Sequence, residues 1–227
     1  MYSETAYLLG IVILAIGTVF MEKADLGMSM VVAPAYLIYR KVSQTYSWFS
    51  FGMAEYCLQA FLLILTGVIL RRFKLSFLFS FVTAVVYGMI LDLFMWLGGY
   101  LPQGDLVFRI VYFLIGMVLG SLGVAFLFHT YVAPEAYELL VKEVSASLNK
   151  KISVVKTIYD CSSCLVAIIL SFCFFGFGKF EGVKVGTIIC ALVNGWMIGQ
   201  FSRYLESKRT FAPAFQKLAG LHKDTNY

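Results

Sequence analysis

Six long stretches of the chain carry no charged residue, and they constrain the fold more than any other feature. These stretches are 5–21, 56–70, 75–91, 110–128, 161–178 and 185–202. With a few flanking residues, each reaches the roughly 20 residues that cross a hydrocarbon core about 30 Å thick. They lack the alternation of barrel strands, and lipid leaves a backbone no partner outside a helix. The sequence therefore predicts membrane helices at about 5–23, 50–70, 75–97, 107–128, 155–177 and 184–204.

Composition places the whole chain in a lipid bilayer. Apolar residues make up 60% of it and charged residues 14%, whereas soluble domains carry about 25% charged residues. This excludes a cytosolic enzyme, a secreted disulfide scaffold and a disordered chain. The net charge of +5 comes from residues that flank apolar stretches, which is typical of membrane topology and not of a nucleic-acid-binding face.

The chain offers little chemistry for catalysis or metal binding. All five cysteines lie in apolar stretches, and Cys161 and Cys164 form a CxxC without a second pair or a nearby histidine. Helix packing explains such cysteines better than a disulfide or a metal site. No phosphate loop, metalloprotease or dinucleotide motif occurs. We therefore expect no enzymatic activity, no cofactor and no metal.

Lysines and arginines predict the orientation of the helices, because cytoplasmic loops carry an excess of both. Twelve of the eighteen belong to one set of helix ends: Arg71, Arg72, Lys74, Lys142, Lys150, Lys151, Lys156, Arg203, Lys208, Arg209, Lys217 and Lys223. The other six belong to the opposite set: Lys23, Arg40, Lys41, Arg109, Lys179 and Lys184. We expect a multi-pass protein of the cell membrane with both termini in the cytoplasm.

Two shorter segments do not fit a full crossing. Residues 27–43 are apolar but too short and contain Pro34, so we expect an interfacial or re-entrant segment. Residues 134–148 carry four charges: Glu135, Glu138, Lys142 and Glu143. Each would cost roughly 2.5–3.5 kcal/mol near the bilayer centre. Glu138 and Lys142 have the i, i+4 spacing of a solvated helical pair, which predicts an interfacial helix or one that lines an aqueous cavity.

The two halves of the chain resemble one another at an offset of about 100 residues. Glu55-Tyr56-Cys57 corresponds to Tyr159-Asp160-Cys161, and Val32-Ala33-Pro34 to Val132-Ala133-Pro134. Chance similarity between apolar helices is the alternative explanation. Duplication predicts repeats at 1–100 and 101–205, followed by a basic cytoplasmic tail at 206–227. Because each repeat crosses three times, the second would be inverted relative to the first, as in many secondary transporters.

Several short motifs resemble those of YczE/YitT-like multipass bacterial membrane proteins. Residues 22–29 (EKADLGMS) resemble the family's K-x-x-LG-x-SP stretch, and Lys156-Thr157-Ile158-Tyr159-Asp160 resembles its K-x-I-F/Y-D signature. Residues 50–52, at the start of the second span, resemble the family's x-FG motif. Residues 183–187, at the start of the last span, resemble its x-G-x-GT motif. Met30 replaces a proline of the family pattern, and 133–136 replaces P-x-D-G. The resemblance implies a bacterial integral membrane protein, described in that family only as such or as a transporter.

Ionisable residues inside the predicted spans are the candidates for function, because burying them in lipid is costly. Glu55 lies near the external start of the second span and Asp160 near the cytoplasmic start of the fifth, so they are approximate repeat mates at opposite ends. Gln59 shares a helical face with Glu55, and Lys156 shares one with Asp160. Solvated interfacial carboxylates and a structural Lys–Asp pair are the alternatives.

Further candidates are weaker. Asp92 and Arg109 flank the external loop after the third span, where they could pair, and such a pair would more simply lock the hairpin. Asn194 in the sixth span could bind substrate or bond to another helix. The spacings of Gly116, Gly120 and Gly123, and of Gly195 and Gly199, favour close helix packing, within the chain or in a homodimer.

The sequence thus predicts an all-α integral membrane protein of two inverted three-helix repeats, each with a short non-spanning helix. The favoured function is a small secondary transporter or permease that works by alternating access, with Glu55 and Asp160 acting at opposite ends on an unknown small molecule or ion. The alternative is a non-transporting binding or partner subunit, which captures a solute or acts as a scaffold.

Overall fold

The chain folds into eight helices within the residues that the computed structural model describes, which are 2–71, 75–102, 104–130, 135–150 and 152–208. The helices are α1 (Ser3–Ala24), α2 (Ala33–Val42), α3 (Phe51–Leu70), α4 (Leu75–Gly98), α5 (Leu106–Phe128), α6 (Ala136–Leu148), α7 (Ile152–Phe175) and α8 (Val185–Lys208). These residues contain no β-strand. The predicted tail at 206–227 lies outside the described residues from 209 onward.

Six of the helices are long and apolar enough to cross a membrane: α1, α3, α4, α5, α7 and α8. This confirms the predicted six spans, whose ends differ from the observed helices by only a few residues. Large apolar side chains such as Leu192, Val68 and Met89 are exposed on the outside of the bundle, where lipid would cover them. The protein is therefore a multipass membrane protein, with α2 and α6 as the two predicted short helices.

Helices α1 and α5 pack closely in the middle of the bundle, because glycines from both helices lie at their contact. A Cβ built on Gly17 would lie 2.6 Å from the backbone nitrogen of Gly120, and one on Gly123 would lie 2.7 Å from that of Leu14. Glycine thus lets the two backbones approach more closely than any other residue would. The predicted close packing is confirmed for Gly116 and Gly123, whereas a Cβ on Gly120, Gly195 or Gly199 would meet no atom within 4 Å.

Ion pairs join the helix ends on one side of the bundle. Asp25, at the end of α1, binds Arg109 of α5 at 3.0 Å and also contacts Lys184, just before α8. On the opposite side, His129 Nε2 at the end of α5 lies 3.2 Å from Glu206 Oε1 near the end of α8. Helix α5 therefore runs antiparallel to α1 and parallel to α8, as six successive crossings require.

Helix α2 penetrates the bundle instead of lying across its end. The Ser163 hydroxyl, in the middle of α7, donates to the Met30 carbonyl just before α2 at 2.8 Å. Lys41, near the end of α2, donates to the Phe174 carbonyl near the end of α7. Eleven residues of α7 separate these contacts, which corresponds to about 16 Å along a helix. Of the two expected geometries for residues 27–43, these contacts match the re-entrant one.

Helix α6 is placed in the same way against α3. Its apolar residues Leu139 and Leu140 pack with Leu62 and Leu63 of α3. Its charged first turn enters the bundle instead of facing solvent, and Glu138 binds Lys156 of α7 at 3.4 Å. The predicted solvated pair of Glu138 with Lys142 is therefore wrong, because a cation on another helix takes its place, while Lys142 is exposed.

We predict that Gly17→Ala lowers the free energy of unfolding by about 1–3 kcal/mol, because the added methyl group would press against the backbone of α5. The matched control is Gly195→Ala, whose methyl group would meet no atom within 4 Å. Thermal or denaturant unfolding of the detergent-solubilised protein measures both. Equal stability of the two variants would contradict the close α1–α5 contact.

Candidate functional site

The start of α6 lies inside the bundle, where its first backbone N–H groups have no helical partner. Gln59 of α3 supplies one: its Oε1 atom accepts a hydrogen bond from the Ala136 backbone nitrogen at 3.1 Å. Glu135, at the N-cap position, makes no capping hydrogen bond through its own side chain. The buried Gln59 side chain therefore caps the start of α6 and fixes α6 to α3.

Glu55 lies one turn before Gln59 and is completely buried. Its Oε2 atom accepts a hydrogen bond of 2.6 Å from the Tyr137 hydroxyl of α6 and a longer one, of 3.4 Å, from Gln59 Nε2. Its Oε1 atom is buried and has no hydrogen-bond partner in the described part of the chain. The predicted pairing of Glu55 and Gln59 on one helical face is confirmed, and both face α6.

Glu135 brings a second buried carboxyl group to the same place. Its side chain is 6% exposed, its Oε2 atom lies 3.4 Å from Gln59 Nε2, and its Oε1 atom is without a partner among the described residues. Burial raises the pKa of the Glu135 carboxyl well above its ordinary value, and the nearby Glu138 and Glu55 carboxylates raise it further. The direction of this pKa shift favours the protonated, neutral form of the Glu135 carboxyl.

Next to this pair, Lys156 of α7 binds two carboxylates. Its Nζ atom lies 3.4 Å from Glu138 Oε1 and 3.1 Å from Asp160 Oδ1. The predicted Lys156–Asp160 pair is thus present, and α6 adds a second acid to it. Lys156 also lies 5.9 Å from the ring centre of Tyr159, within the range of a cation–π contact. One ammonium group is therefore shared between two helices.

These contacts correct one expectation about position. Glu55 and Asp160 were expected to act at opposite ends of the protein, but both lie beside the first turn of α6. Tyr137 bonds to Glu55 and its ring lies 6.5 Å from that of Tyr159, while Glu138 connects to Asp160 through Lys156. The reason is that α6 enters between α3 and α7 and brings their polar faces together.

Some of these polar side chains border a cavity of about 70 Å³ within the bundle, whereas Glu55, Gln59 and Asp160 do not line it. Such a volume can hold a few water molecules. The polar side chains that line it are Thr18, Ser29, Tyr87, Glu135, Tyr137, Glu138, Lys156 and Asn194. Asn194, one of the predicted candidates, accepts a hydrogen bond from Ser121, so one side of the cavity is fixed by a contact between α8 and α5.

Two predicted candidates lie elsewhere. Asp92 accepts hydrogen bonds from the Ser50 hydroxyl and from the Gly52 backbone nitrogen, the latter at 2.7 Å, so it holds the start of α3. Arg109 binds Asp25. The expected Asp92–Arg109 pair is wrong, because each side chain has a nearer partner on a different helix. Neither residue borders the cavity.

Sequence reasoning missed Glu135, Tyr137 and Glu138 as site residues. The sequence contained a signal for these site residues, since the three polar residues follow closely on one another directly after Pro134. Their segment was expected to be interfacial or to line an aqueous cavity, and these three side chains do line the cavity, but none of them was singled out as a candidate. The described residues contain no group of three or more His, Cys, Asp or Glu side chains arranged to hold a metal ion.

We predict that Tyr137→Phe destabilises the protein by about 1–3 kcal/mol, because the Glu55 carboxyl loses its shortest hydrogen bond in a buried position. In combination with Glu55→Gln, the loss should be smaller than the sum of the single losses. Tyr204→Phe, at an exposed position of α8, is the control in the same unfolding experiment. A cost no greater than that of the control would show that this hydrogen bond is absent.

We also predict that stability falls as the pH is raised, and that Glu135→Gln weakens this dependence. A carboxyl group with a raised pKa binds its proton in the folded state and loses it on unfolding. Its contribution is complete below the ordinary carboxyl pKa and disappears as the pH rises through the raised value. Glutamine mimics the protonated form at every pH. The measurement is the unfolding temperature as a function of pH.

The control for this pH experiment is Asp105→Asn, which removes an exposed carboxylate whose side chain makes no capping hydrogen bond. It should keep the dependence of the unmodified protein. A curve for Glu135→Gln that overlays the one for Asp105→Asn would contradict a neutral, buried Glu135.

Comparison with known proteins identifies a family without giving a function. The model of a family of unknown function (DUF6198) matches residues 1–203, which is nearly the whole chain, and the protein belongs to this family. No curated protein and no solved structure matches the chain. The resemblance to YczE/YitT-like proteins therefore has no named relative to confirm it.

Proposed function

We propose that this member of the DUF6198 family is a small secondary transporter that moves a small molecule or ion by alternating access. The proposal includes two inverted repeats, at 1–100 and 101–205, and a cell-membrane location with both termini in the cytoplasm. Transport would occur without chemical conversion of the substrate. The support comes from the contacts between helices, from the cavity and from one asymmetry between the two halves.

The contacts between helices follow a nearly two-fold pattern. If α1 to α4 correspond to α5 to α8, a two-fold rotation maps the α1–α5 contact onto itself. The α1–α4 contact then corresponds to α5–α8, α2–α7 to α6–α3, and α2–α3 to α6–α7, and all of these pairs are in contact. Chance similarity between apolar helices would not arrange their packing in this way, so the pattern supports duplication.

Individual hydrogen bonds repeat as well. Gln59 of α3 and Ser163 of α7 are repeat mates by the offset that aligns Glu55 with Tyr159. Gln59 bonds to the start of α6, and Ser163 bonds to the carbonyl of Met30 just before α2. Each repeat therefore holds the short helix of the other through an equivalent residue, which supports the correspondence of the two halves.

The observation that carries the proposal is a difference between the halves. Helices α3 and α4 pack together, and α4 also packs on α6, but the corresponding α7 and α8 barely touch within the described residues, and α8 makes no comparable contact with α2. In inverted-repeat transporters, the two halves adopt different arrangements and exchange them to open on the other side. The separation of α7 and α8, beside a cavity lined from both, fits one such state.

The ion pairs are compatible with the proposed orientation. Among the six cations expected outside, Lys23, Arg40, Arg109 and Lys184 each lie next to an acidic side chain at the same end of the bundle. The distribution rule counts lysines and arginines and gives acidic residues little weight, so these ion pairs leave the proposed orientation unchanged.

The second candidate remains a non-transporting binding or partner subunit. Helix α8 favours it, since Gly195 has no neighbour within 4 Å of its Cβ position and Trp196 is 64% exposed. Small residues next to an exposed aromatic ring suit a close contact with another helix, from a partner or from a second copy of this chain.

Labelling of one cysteine tests the transporter directly. Cys190 of α8 lines the cavity, so we prepare a variant in which Cys57, Cys161, Cys164 and Cys173 are replaced by alanine. We expect a small, membrane-impermeant thiol reagent to label Cys190 from either side of the membrane in separate experiments. Alternating access exposes the cavity to each side in turn, and a thiolate can form only where water reaches it.

The matched control retains only Cys161, which lies on the exposed surface of α7 and should stay unlabelled by the impermeant reagent, because lipid covers it. A membrane-permeant maleimide checks that each protein is present and folded. Labelling of Cys190 from one side alone would favour the binding subunit, and no labelling from either side would contradict an accessible cavity.

A further inference from the structure

The buried carboxyl groups of Glu55 and Glu135 lie close together and share one donor. Their Oε2 atoms each lie 3.4 Å from the same Gln59 nitrogen, so the two groups can be no further apart than about twice that distance. Both Oε1 atoms are buried and without a partner in the described part of the chain. Two ionised carboxylates would repel each other strongly at this spacing in a medium of low dielectric constant.

No cation of the described residues forms an ion pair with Glu55 or Glu135. Lys156 attracts the Glu135 carboxylate, but its ammonium group contacts Glu138 and Asp160. The remaining donors, the Tyr137 hydroxyl and the Gln59 amide, are neutral. Four carboxyl groups thus share one ammonium group, and a buried excess of negative charge must be removed by binding a positive ion.

The other side chains that face the pair do not change this balance. Helices α1, α4, α6 and α7 surround it and contribute four tyrosines, namely Tyr7, Tyr87, Tyr137 and Tyr159. Tyrosine hydroxyl groups carry no charge at neutral pH. The charged groups of these elements that act on the pair are Glu138 and Lys156, and Lys156 contacts Glu138 and Asp160.

We propose that Glu55 and Glu135 form a proton-binding site in which the two carboxyl groups hold one exchangeable proton between them. The proton arrives as hydronium ion in the water of the cavity, which Glu135 lines. It forms an O–H bond on a free Oε1 atom and leaves a water molecule behind. Release follows the reverse path.

A proton fits this site better than a metal cation. Metal ions such as Ca²⁺ and Mg²⁺ require six or more oxygen ligands, whereas the pair offers two unpartnered oxygens, and the Gln59 carbonyl oxygen is occupied by the Ala136 nitrogen. A single proton needs one oxygen to bind and one to accept its hydrogen bond. Two free carboxyl oxygens supply both.

The site also suggests a coupling ion. Glu135 is the N-cap residue of α6, and its partner Glu55 belongs to α3, so the pair joins the two proposed repeats. A movement of one repeat against the other would separate the carboxyl groups and release the proton. This role rests on the transport proposed above, whereas the proton site itself does not.

Infrared spectroscopy tests the site without any substrate. Protonated and ionised carboxyl groups have distinct C=O stretching bands, and only the protonated band shifts when water is replaced by D₂O. The probe is the purified protein in liposomes, titrated with acid and base in choline chloride. We expect the unmodified protein to show the band of one carboxylic acid at neutral pH, which the double variant Glu55→Gln/Glu135→Gln lacks.

Each single variant should retain one carboxyl group that ionises at a lower pH than the pair, because the neighbouring negative charge is gone. Glu206→Gln, at an exposed position of α8, should leave the spectrum unchanged. Size-exclusion chromatography checks that every variant is folded, and the titration of the unmodified protein needs no variant.

Three results would overturn the site: no protonated band at neutral pH, a band that persists in the double variant, or a band that disappears when sodium replaces choline at constant pH. The last would assign the pair to a metal cation. An intact band together with one-sided labelling of Cys190 would leave the proton site standing and remove only its role in transport.

Discussion

A helix that begins inside a membrane protein exposes backbone N–H groups where lipid offers them no partner, and the structure depends on how this chain meets that constraint. Gln59 accepts a hydrogen bond from the first residue of α6 and donates to carboxyl groups on both sides. Because one amide group serves the backbone and two acids, the position of α6, the burial of Glu55 and the burial of Glu135 are fixed together. The cavity lies next to this junction.

The same junction explains why costly groups are kept in the bundle. Replacing a whole buried cluster of charges by apolar residues is often neutral or stabilising, so stability alone is a weak reason to keep four carboxyl groups beside one lysine. Their presence in the bundle supports a function that uses charge, such as the proposed proton binding. The glycine contact of α1 with α5 supplies the complementary property, since it closes the centre of the bundle tightly and leaves the surrounding helices to differ between the halves.

Hydropathy was sufficient to predict the six spans, because a bilayer imposes one length and one chemistry on every crossing. Glu55, Gln59, Lys156 and Asp160 could be found as well, since a polar residue in an apolar helix stands out. Their arrangement in space could not be predicted from the sequence. The depth of Glu55 and Asp160 along their own helices suggested opposite ends, and only the insertion of α6 brings them together. Asp92 and Arg109 flank the same loop, but their partners are far away in sequence. Ser50 binds Asp92, and Asp25 binds Arg109.

The central claim is that the first turn of α6 lies within the bilayer, bound to Glu55 and Gln59. The most direct measurement is a cryo-electron microscopy structure in lipid nanodiscs that resolves side chains, from which the distance between the Tyr137 hydroxyl and the Glu55 carboxyl is read. The account predicts a hydrogen-bond distance, at a depth covered by lipid acyl chains. A helix α6 that lies on the membrane surface, with Tyr137 and Glu55 separated by other side chains or by lipid, would contradict it.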